Sequence, residues 1–292
     1  MKRLSFLTLG TFLIALQLLI VNYVQAKDVP PTFQKLVSRL HKDGIDKQYL
    51  RDIFTRPELE LMPETVAKSL VRKEARLNYA QFLEKYAVNK SISYLKTHER
   101  SLKKIEGYFG VSAPVVVAIL SVETACGTYL GRFNAVNILV TQALSLDPEI
   151  YHQIYDLIPH EEKQHLAHQD IKKRLRKKST IAYRELKALL AYTRRHKIDP
   201  LSIQGSSEGA IGIPQFLPSN IKRYGYDGNG DGKIDLFQHE DAIASVASFL
   251  KTYRWSEDRS YQKKKRIIRR YNPSNYYAST VLTLADKLNH YW

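Results

Sequence analysis

Residues 112–127 read Ser-Ala-Pro-Val-Val-Val-Ala-Ile-Leu-Ser-Val-Glu-Thr-Ala-Cys-Gly, and this stretch limits what the chain can fold into. Ser112 is suited to cap a helix, and Pro114 to its first turn, where a missing N–H costs nothing. From 115 to 120 every side chain is apolar, so the helix has no face to offer water and belongs inside the molecule. Gly127 offers a left-handed stop. Near that stop stands Glu123, an acid on an otherwise apolar rod. If its carboxyl is desolvated it is held toward the protonated form, as a general acid near neutral pH requires. If it emerges at the helix end it is an ordinary solvated or ion-paired carboxylate. The stretch by itself leaves both open.

The chain of 292 residues is long enough for one large core or two small ones. Met1, Lys2 and Arg3 precede an apolar run over 4–24, and Val24 and Ala26 flank Gln25 before Lys27. That pattern predicts a signal peptide, residues 1–26, cleaved after Ala26. The run is also nearly long enough to span a bilayer, so an uncleaved anchor is the competing reading. Cleavage is the expectation here, with a periplasmic address. Cys126 is the single cysteine, so the fold stands on packing without an intramolecular disulfide. A lone buried cysteine behaves as a small hydrophobe. Lys and Arg outnumber Asp and Glu by 45 to 29, a net charge of +16, which draws the chain to anionic material. Nucleic-acid motifs are absent, so nucleic acid is excluded as partner and an acidic wall polymer fits better. Basic patches would add association with a membrane or wall surface.

Apolar residues at helical spacing (Phe33, Leu36, Val37 and Leu40, then Leu50, Ile53 and Phe54) predict two helices broken at Asp43-Gly44. Residues 66–106 read as helical again, with Tyr79, Phe82, Leu83 and Tyr86 on one face. A further helix is predicted over 134–146. Residues 147–180 combine prolines, a His-rich patch and the run Lys172-Lys173-Arg174-Leu175-Arg176-Lys177-Lys178, and read as a surface insertion with a solvated basic face. His160, His165 and His168 lack a carboxylate or cysteine at matching spacing, so no metal is expected there. Period-two alternation is scarce. The predicted fold is mainly α, with a small β element near the loop at 227–241.

Two loops carry further chemistry. Residues 205–219, Gly-Ser-Ser-Glu-Gly-Ala-Ile-Gly-Ile-Pro-Gln-Phe-Leu-Pro-Ser, describe a tight glycine loop feeding a short helix. Its glycines let backbone approach a ligand, while Ser206 and Gln215 supply hydrogen bonds. Asp227, Asn229 and Asp231 alternate with glycines and are followed by Lys233, Ile234 and Asp235. Oxygen ligands, turn glycine and backbone carbonyl thus stand where a calcium loop needs them. The closing position holds Gln238 instead of glutamate, and Glu240 and Asp241 follow. A lengthened loop closing on either would hold calcium; without closure it is a metal-free turn.

Glu123-Thr124-x-x-Gly127, the 205–219 motif, the Asp227 loop with Asp235-Leu236, the 241–247 segment and Tyr271-Asn272 together resemble the B family of lytic murein transglycosylases. The likeness runs from about Tyr79 to Leu288. It implies a lysozyme-like helical core, with residues 27–105 as an N-terminal helical part and 106–292 as the catalytic core. It implies an enzyme, a carbon-oxygen lyase that cleaves the β-1,4 bond between N-acetylmuramic acid and N-acetylglucosamine in peptidoglycan strands without water, leaving 1,6-anhydromuramyl ends. Glu123 would be both acid and base. Ser206, Gln215, Phe216, Tyr271, Asn272 and Tyr79 would contact substrate. Asp227, Asn229, Asp231, the Lys233 carbonyl and Asp241 would hold structural Ca2+, and no organic cofactor is implied.

Ordinary glycosidases use two carboxylates; here one acid stands on a buried helix, which suffices if the substrate's own hydroxyl is the nucleophile. The chain departs from the family pattern at Cys126, where an aromatic is usual, and at Glu208, where a small residue is usual. It also has Asp147-Pro148-Glu149 in place of an expected arginine pair. Two alternatives follow: a peptidoglycan-binding protein of weak activity, and a lysozyme-type muramidase using Glu208 as second carboxylate.

Overall fold

The computed structural model describes residues 28–72 and 77–292; the expected signal peptide lies outside them. The described residues form fourteen α-helices, two short 3-10 turns and one two-stranded ribbon. In chain order the helices are α1 (Pro31–Lys42), α2 (Lys47–Phe54), α3 (Pro63–Val71), α4 (Lys85–Thr97), α5 (Glu99–Phe109), α6 (Ala113–Thr124), α7 (Ala135–Ala143), α8 (Pro148–Asp156), α9 (His160–His165), α10 (His168–His196), α11 (Pro218–Tyr224), α12 (His239–Thr252), α13 (Tyr261–Tyr271) and α14 (Asn275–Asn289). Five of them (α1, α3, α6, α8 and α11) start on a proline in the first turn, where its fixed φ suits the helix. Asp46, Asn134, Asp147 and Ser274 each cap a helix by accepting a backbone N–H. No single described helix is long and apolar enough to cross a membrane.

Helix α6 is the axis, as its sequence demands. Every residue from Ala113 to Ser121 is buried, and α4, α5, α12 and α14 pack around it. Its start differs from expectation. Ser112 makes no cap; its hydroxyl donates to Glu257 at 2.6 Å. The Glu106 carboxylate, arriving from α5, takes the Ala113 N–H at 2.6 Å instead. A charged acceptor at a helix N-terminus also meets the positive end of the helix dipole.

The ribbon pairs β1 (Phe133–Asn134) with β2 (Gln204–Gly205), Phe133 opposite Gly205. It stands at the mouth of the 205–216 loop, and reaches the Asp227 loop through the Ile213 N–H, which donates to the Leu236 carbonyl at 2.9 Å. Residues 147–180, expected as a surface insertion, are built into the fold. Ile150, Ile154, Ile158, Ile171 and Leu175 join the core, and α10 runs unbroken from His168 through the basic run into the segment that packs on α7. The lysines and arginines dominated the composition, but the apolar residues among them recur at three- and four-residue spacing and commit one face to burial.

Leu175, with 0% of its surface exposed, checks this integration. Leu175→Ala is expected to cost about 2–5 kcal/mol in denaturant unfolding, the range for a core leucine. A cost within about 0.5 kcal/mol would return the segment to the surface.

Candidate active site

Helix α6 ends in an unusual way. Ala125, Cys126 and Gly127 all take positive φ, 48°, 60° and 85°, so the stop arrives two residues before the expected glycine. Ala125 N and Cys126 N donate to Ser121 O and Leu120 O. Left-handed non-glycine residues cost about 1–3 kcal/mol each and persist only where surroundings over-determine them. Thr124 supplies part of that restraint. Its hydroxyl donates to the Ile213 carbonyl at 2.8 Å and accepts from Gly127 N at 2.9 Å, fastening the helix end to the 205–216 loop. Cys126 is buried with its thiol pushed up to about 12 by desolvation. It is an inert packing residue.

Glu123 therefore points from a fixed helix end into a groove. Two cavities meet at it, of about 470 and 630 Å3. Tyr79, Phe82, Asn272, Tyr277 and Glu208 line the first. Lys68, Arg132, Phe133, Ser206 and Gln215 line the second. Ser69 and Arg72 border both. The desolvated carboxyl of Glu123 is pushed up to about 7, against a hydrogen bond that pulls the other way. That bond comes from Tyr277, whose hydroxyl donates to Glu123 Oε1 at 2.7 Å, leaving Oε2 for a proton and an incoming group. Tyr277 is itself buried, and its phenol is held neutral, well above its ordinary range, by burial and by the negative charge of Glu123. Its ring lies parallel to that of Tyr271, 6.4 Å away.

The structure gathers most of the predicted residues, in altered roles. Tyr79 lines the groove and stacks on Tyr276 at 6.4 Å. Asn272 lines it too, its side-chain carbonyl accepting from Ser274 N at 3.1 Å. Ser206 faces the groove while its Oγ accepts from Glu208 N and Ala210 N, so it shapes the loop. Gln215, at φ 48°, donates to Leu130 O and Gly212 O. These bonds tie the 128–133 and 205–216 loops, which touch backbone to backbone. A Cβ on Gly131 would lie 2.1 Å from Gly205 O. Tyr271 stands behind the groove wall, donating to Pro214 O and stacking on Tyr277.

Phe216 requires correction. It is 2% exposed and packs with Tyr224, Phe249 and Tyr271. The family resemblance implies a substrate contact for Phe216, but the loop folds back through the Ile211–Phe216 bridge and turns the ring into the core. Tyr277 was missed. Its signal was the N-cap serine at Ser274, which places Tyr277 one turn inside α14. Lys68 and Arg72 are not foreseen because nothing local in the sequence brings α3 to the Glu123 groove, and Arg132 because the 128–133 loop is placed by its contact with the 205–216 loop.

Two of the other groove carboxylates are committed. Glu64 pairs with Lys68 at 2.6 Å, and Glu208 with Lys178 of α10 at 2.5 Å. Arg174, one turn earlier, donates to Leu70 O at 2.8 Å, so the basic run holds both rims of the groove.

In the 227–241 loop the oxygens fold onto the loop's own amides. Asp227 accepts from Gly230 and Gly232, Asn229 from Asp231, and Asp231 from Lys233. Asp241, 1% exposed, accepts from Gly228 N and Asp235 N; burial holds it above the usual carboxylate range. Among the described residues no group of three or more His, Cys, Asp or Glu converges on one point. The donors are nonetheless all hard oxygens, three on one glycine turn and Asp241 in the first turn of α12, and a cation would offset the buried Asp241 charge. The residues fit calcium in chemistry and order.

A family model described as the transglycosylase SLT domain matches residues 28–267. The chain is 26% identical over 237 residues to the membrane-bound lytic murein transglycosylase B of Escherichia coli (strain K12), a match covering 77% of this chain and 58% of that one. It thus spans less than two thirds of that relative's length. Among solved structures it is similar to the soluble lytic transglycosylase SltB1 from Pseudomonas aeruginosa, with TM-score 0.72, 22% identity and coverage of 89% and 99%. It is also similar to the Escherichia coli lytic transglycosylase SLT35 in complex with calcium, with TM-score 0.71, 21% identity and coverage of 89% and 93%. The P. aeruginosa SltB3 in complex with NAG-NAM-pentapeptide gives TM-score 0.65, 20% identity and coverage of 89% and 80%. At these identities the structures establish a shared fold.

Tyr277→Phe removes the donor that favours ionised Glu123, so the Glu123 pKa is expected to rise above about 7, read by carboxyl NMR. A second expectation concerns stability. A carboxyl raised from 4.5 to about 7 on folding binds more protons folded than unfolded in that window, so stability falls as pH rises through it. Glu123→Gln removes this loss, on the order of 3 kcal/mol. Its advantage in thermal midpoint over wild type should be larger at pH 8 than at pH 4.

Proposed function

Because the chain belongs to the transglycosylase SLT domain family, we propose that it is a lytic transglycosylase of peptidoglycan strands, with Glu123 as its single acid and base. The observation that carries this reading is the state of the groove's carboxylates. Glu123 alone combines desolvation, a raised pKa and an unoccupied oxygen, while Glu64 and Glu208 are neutralised by lysines. Hydrolysis needs a second carboxylate to activate water or attack the sugar. A groove with one competent acid suits a reaction in which a substrate hydroxyl closes on the anomeric carbon.

In the proposed sequence, protonated Glu123 gives its Oε2 proton to the glycosidic oxygen as the bond to the muramyl anomeric carbon breaks. The resulting carboxylate takes the proton of the muramyl O6 hydroxyl, which forms the 1,6-anhydro bond. Glu123 ends protonated, ready for the next cycle. The neutral Tyr277 phenol steadies Oε1 when the charge appears, and burial keeps that charge short-lived. Ser206, Gln215, Asn272 and Tyr79 would position the sugars, with Tyr271 supporting Tyr277. A pKa near 7 keeps about half of the acid protonated at neutral pH. Export to the periplasm is the matching address, as the substrate lies there.

Peptidoglycan incubated with the full chain and analysed by mass spectrometry tests the reaction. Anhydromuramyl products are expected from wild type and a rate at least about 100-fold lower from Glu123→Gln. Reducing-end products would make it a hydrolase and bring Glu208 forward. No soluble product from a folded protein that pellets with the wall would make it a binding protein.

We also propose that Asp227, Asn229, Asp231, the Lys233 carbonyl and Asp241 hold calcium, whose part would be to brace the Leu236–Ile213 link behind the 205–216 loop. Calcium at about 100 times its Kd is expected to stabilise chelator-treated protein by about 2.7 kcal/mol, seen as a higher thermal midpoint that Asp227→Ala and Asp231→Ala abolish. An unchanged midpoint in wild type would leave the loop a turn.

A further inference from the structure

Away from the Glu123 groove, a surface concavity of about 400 Å3 is lined by Arg254, Arg259, Lys263, Arg266 and Arg270, with Tyr253 beside them. It contains five cations and no carboxylate. Lys263, Arg266 and Arg270 recur at three- and four-residue spacing on α13 and so share one face. The two loop arginines are brought up to that face by local bonds. Arg254 adopts φ 58° and donates its N–H to Lys251 O, and Arg259 Nε donates to Arg254 O at 2.6 Å. Among the described residues none of the five is paired with a carboxylate. Of the two acids in the loop between these arginines, Glu257 is taken by Lys264, Ser112 and Trp255, and the exposed Asp258 forms no ion pair with any of the five.

Five like charges gathered on one face repel one another unless a polyanion lies against them. The site has no carboxyl group and a single aromatic ring, Tyr253, against five cations, so charge rather than sugar stacking sets what it binds. Four of the five cations are arginines, whose planar forks match phosphate oxygens two at a time. A helix face with charges strung along it suits a plane of headgroups, which offers several phosphates at once. The apolar run at 4–24, expected as a leader or anchor, would bring the chain to a membrane, whose anionic headgroups attract basic surface held close to the bilayer. We propose that the Arg254–Arg270 concavity binds the phosphates of anionic phospholipid headgroups and holds this protein against a membrane surface.

The test is co-sedimentation of the full chain with vesicles of phosphatidylglycerol and phosphatidylcholine, beside vesicles of phosphatidylcholine alone. Wild type should prefer the anionic vesicles, and high salt should erase the preference. Each cation at an anionic leaflet contributes roughly fivefold in partitioning. Arg254→Gln, Arg259→Gln, Lys263→Gln, Arg266→Gln and Arg270→Gln combined should therefore lower anionic binding at least about 100-fold. A control of equal net charge, Lys35→Gln, Lys42→Gln, Lys47→Gln, Lys172→Gln and Lys177→Gln combined, should keep most of it. An unchanged thermal midpoint shows that both variants are folded. Equal loss in the two variants would overturn the proposal in favour of general charge attraction. So would vesicle binding that survives in the first variant while its pelleting with peptidoglycan is lost, because the concavity would then serve the wall polymer.

Discussion

The site depends on one constraint: a carboxyl group carried to the edge of the core by a helix that cannot turn. Helix α6 is apolar around its whole circumference, so rotating it would expose a buried residue for each one it hid. Its packing against α4, α5, α12 and α14 therefore also fixes the azimuth of Glu123. The Thr124 hydroxyl fixes the axial position by bonding to Ile213 O. What remains free at Glu123 is side-chain torsion, and the Tyr277 phenol restrains that. Orientation is thereby set by folding, before any ligand arrives, which is how binding energy is spared for the reacting bond.

The same economy explains the electrostatics. A desolvated carboxyl rises in pKa only while no cation stands next to it. The groove holds Lys68, Arg72 and Arg132, any of which would pull Glu123 down if it paired with it. Lys68 is occupied by Glu64, and Lys178, which approaches from α10, by Glu208. Exposed pairs such as these add little to stability, typically under about 1 kcal/mol. Their consequence here is chemical: Lys68 and Lys178 are each held by a rim carboxylate, and desolvation and the Tyr277 bond alone set the state of Glu123. Arg174, bonded to Leu70 O, gives the basic run a second hold on the α3 side, so α10 sets the spacing of the two rims.

Where the physics was local, the sequence was legible. The all-apolar rod at 115–120, the helical stripes before it, the glycine loop at 205–216 and the oxygen-rich turn at 227–235 each state their structure within a few residues. Legibility failed where a partner arrives from far along the chain. Ser112 has cap chemistry, yet Glu106 outcompetes it because α5 brings a charged acceptor to the same amide. Phe216 sits among ligand-type residues, yet tertiary packing with Phe249 and Tyr271 turns it inward. The basic stretch in 147–180 concealed Ile171 and Leu175, because composition records how many charges there are and periodicity records where they point. Tyr277 reaches Glu123 across 154 positions, and no window reads that.

The left-handed residues sharpen this view of the site. Ala125, Cys126 and Gln215 all sit at φ near 50–60°, on the two segments that Thr124 joins. Glycine would relieve the strain at any of them. Instead, two of the three carry a side chain engaged where it stands: Cys126 buried in the core behind the helix end, Gln215 bridging Leu130 O and Gly212 O. A glycine at 215 would relax φ but leave Leu130 O without its donor, Gly212 O holding only the backbone N–H of residue 215, and free the 128–133 loop from its neighbour. An alanine would keep the strain and lose both bonds. The glutamine is the residue whose hydrogen bonds offset the backbone cost, and the groove wall on that side of Glu123 keeps its shape through it.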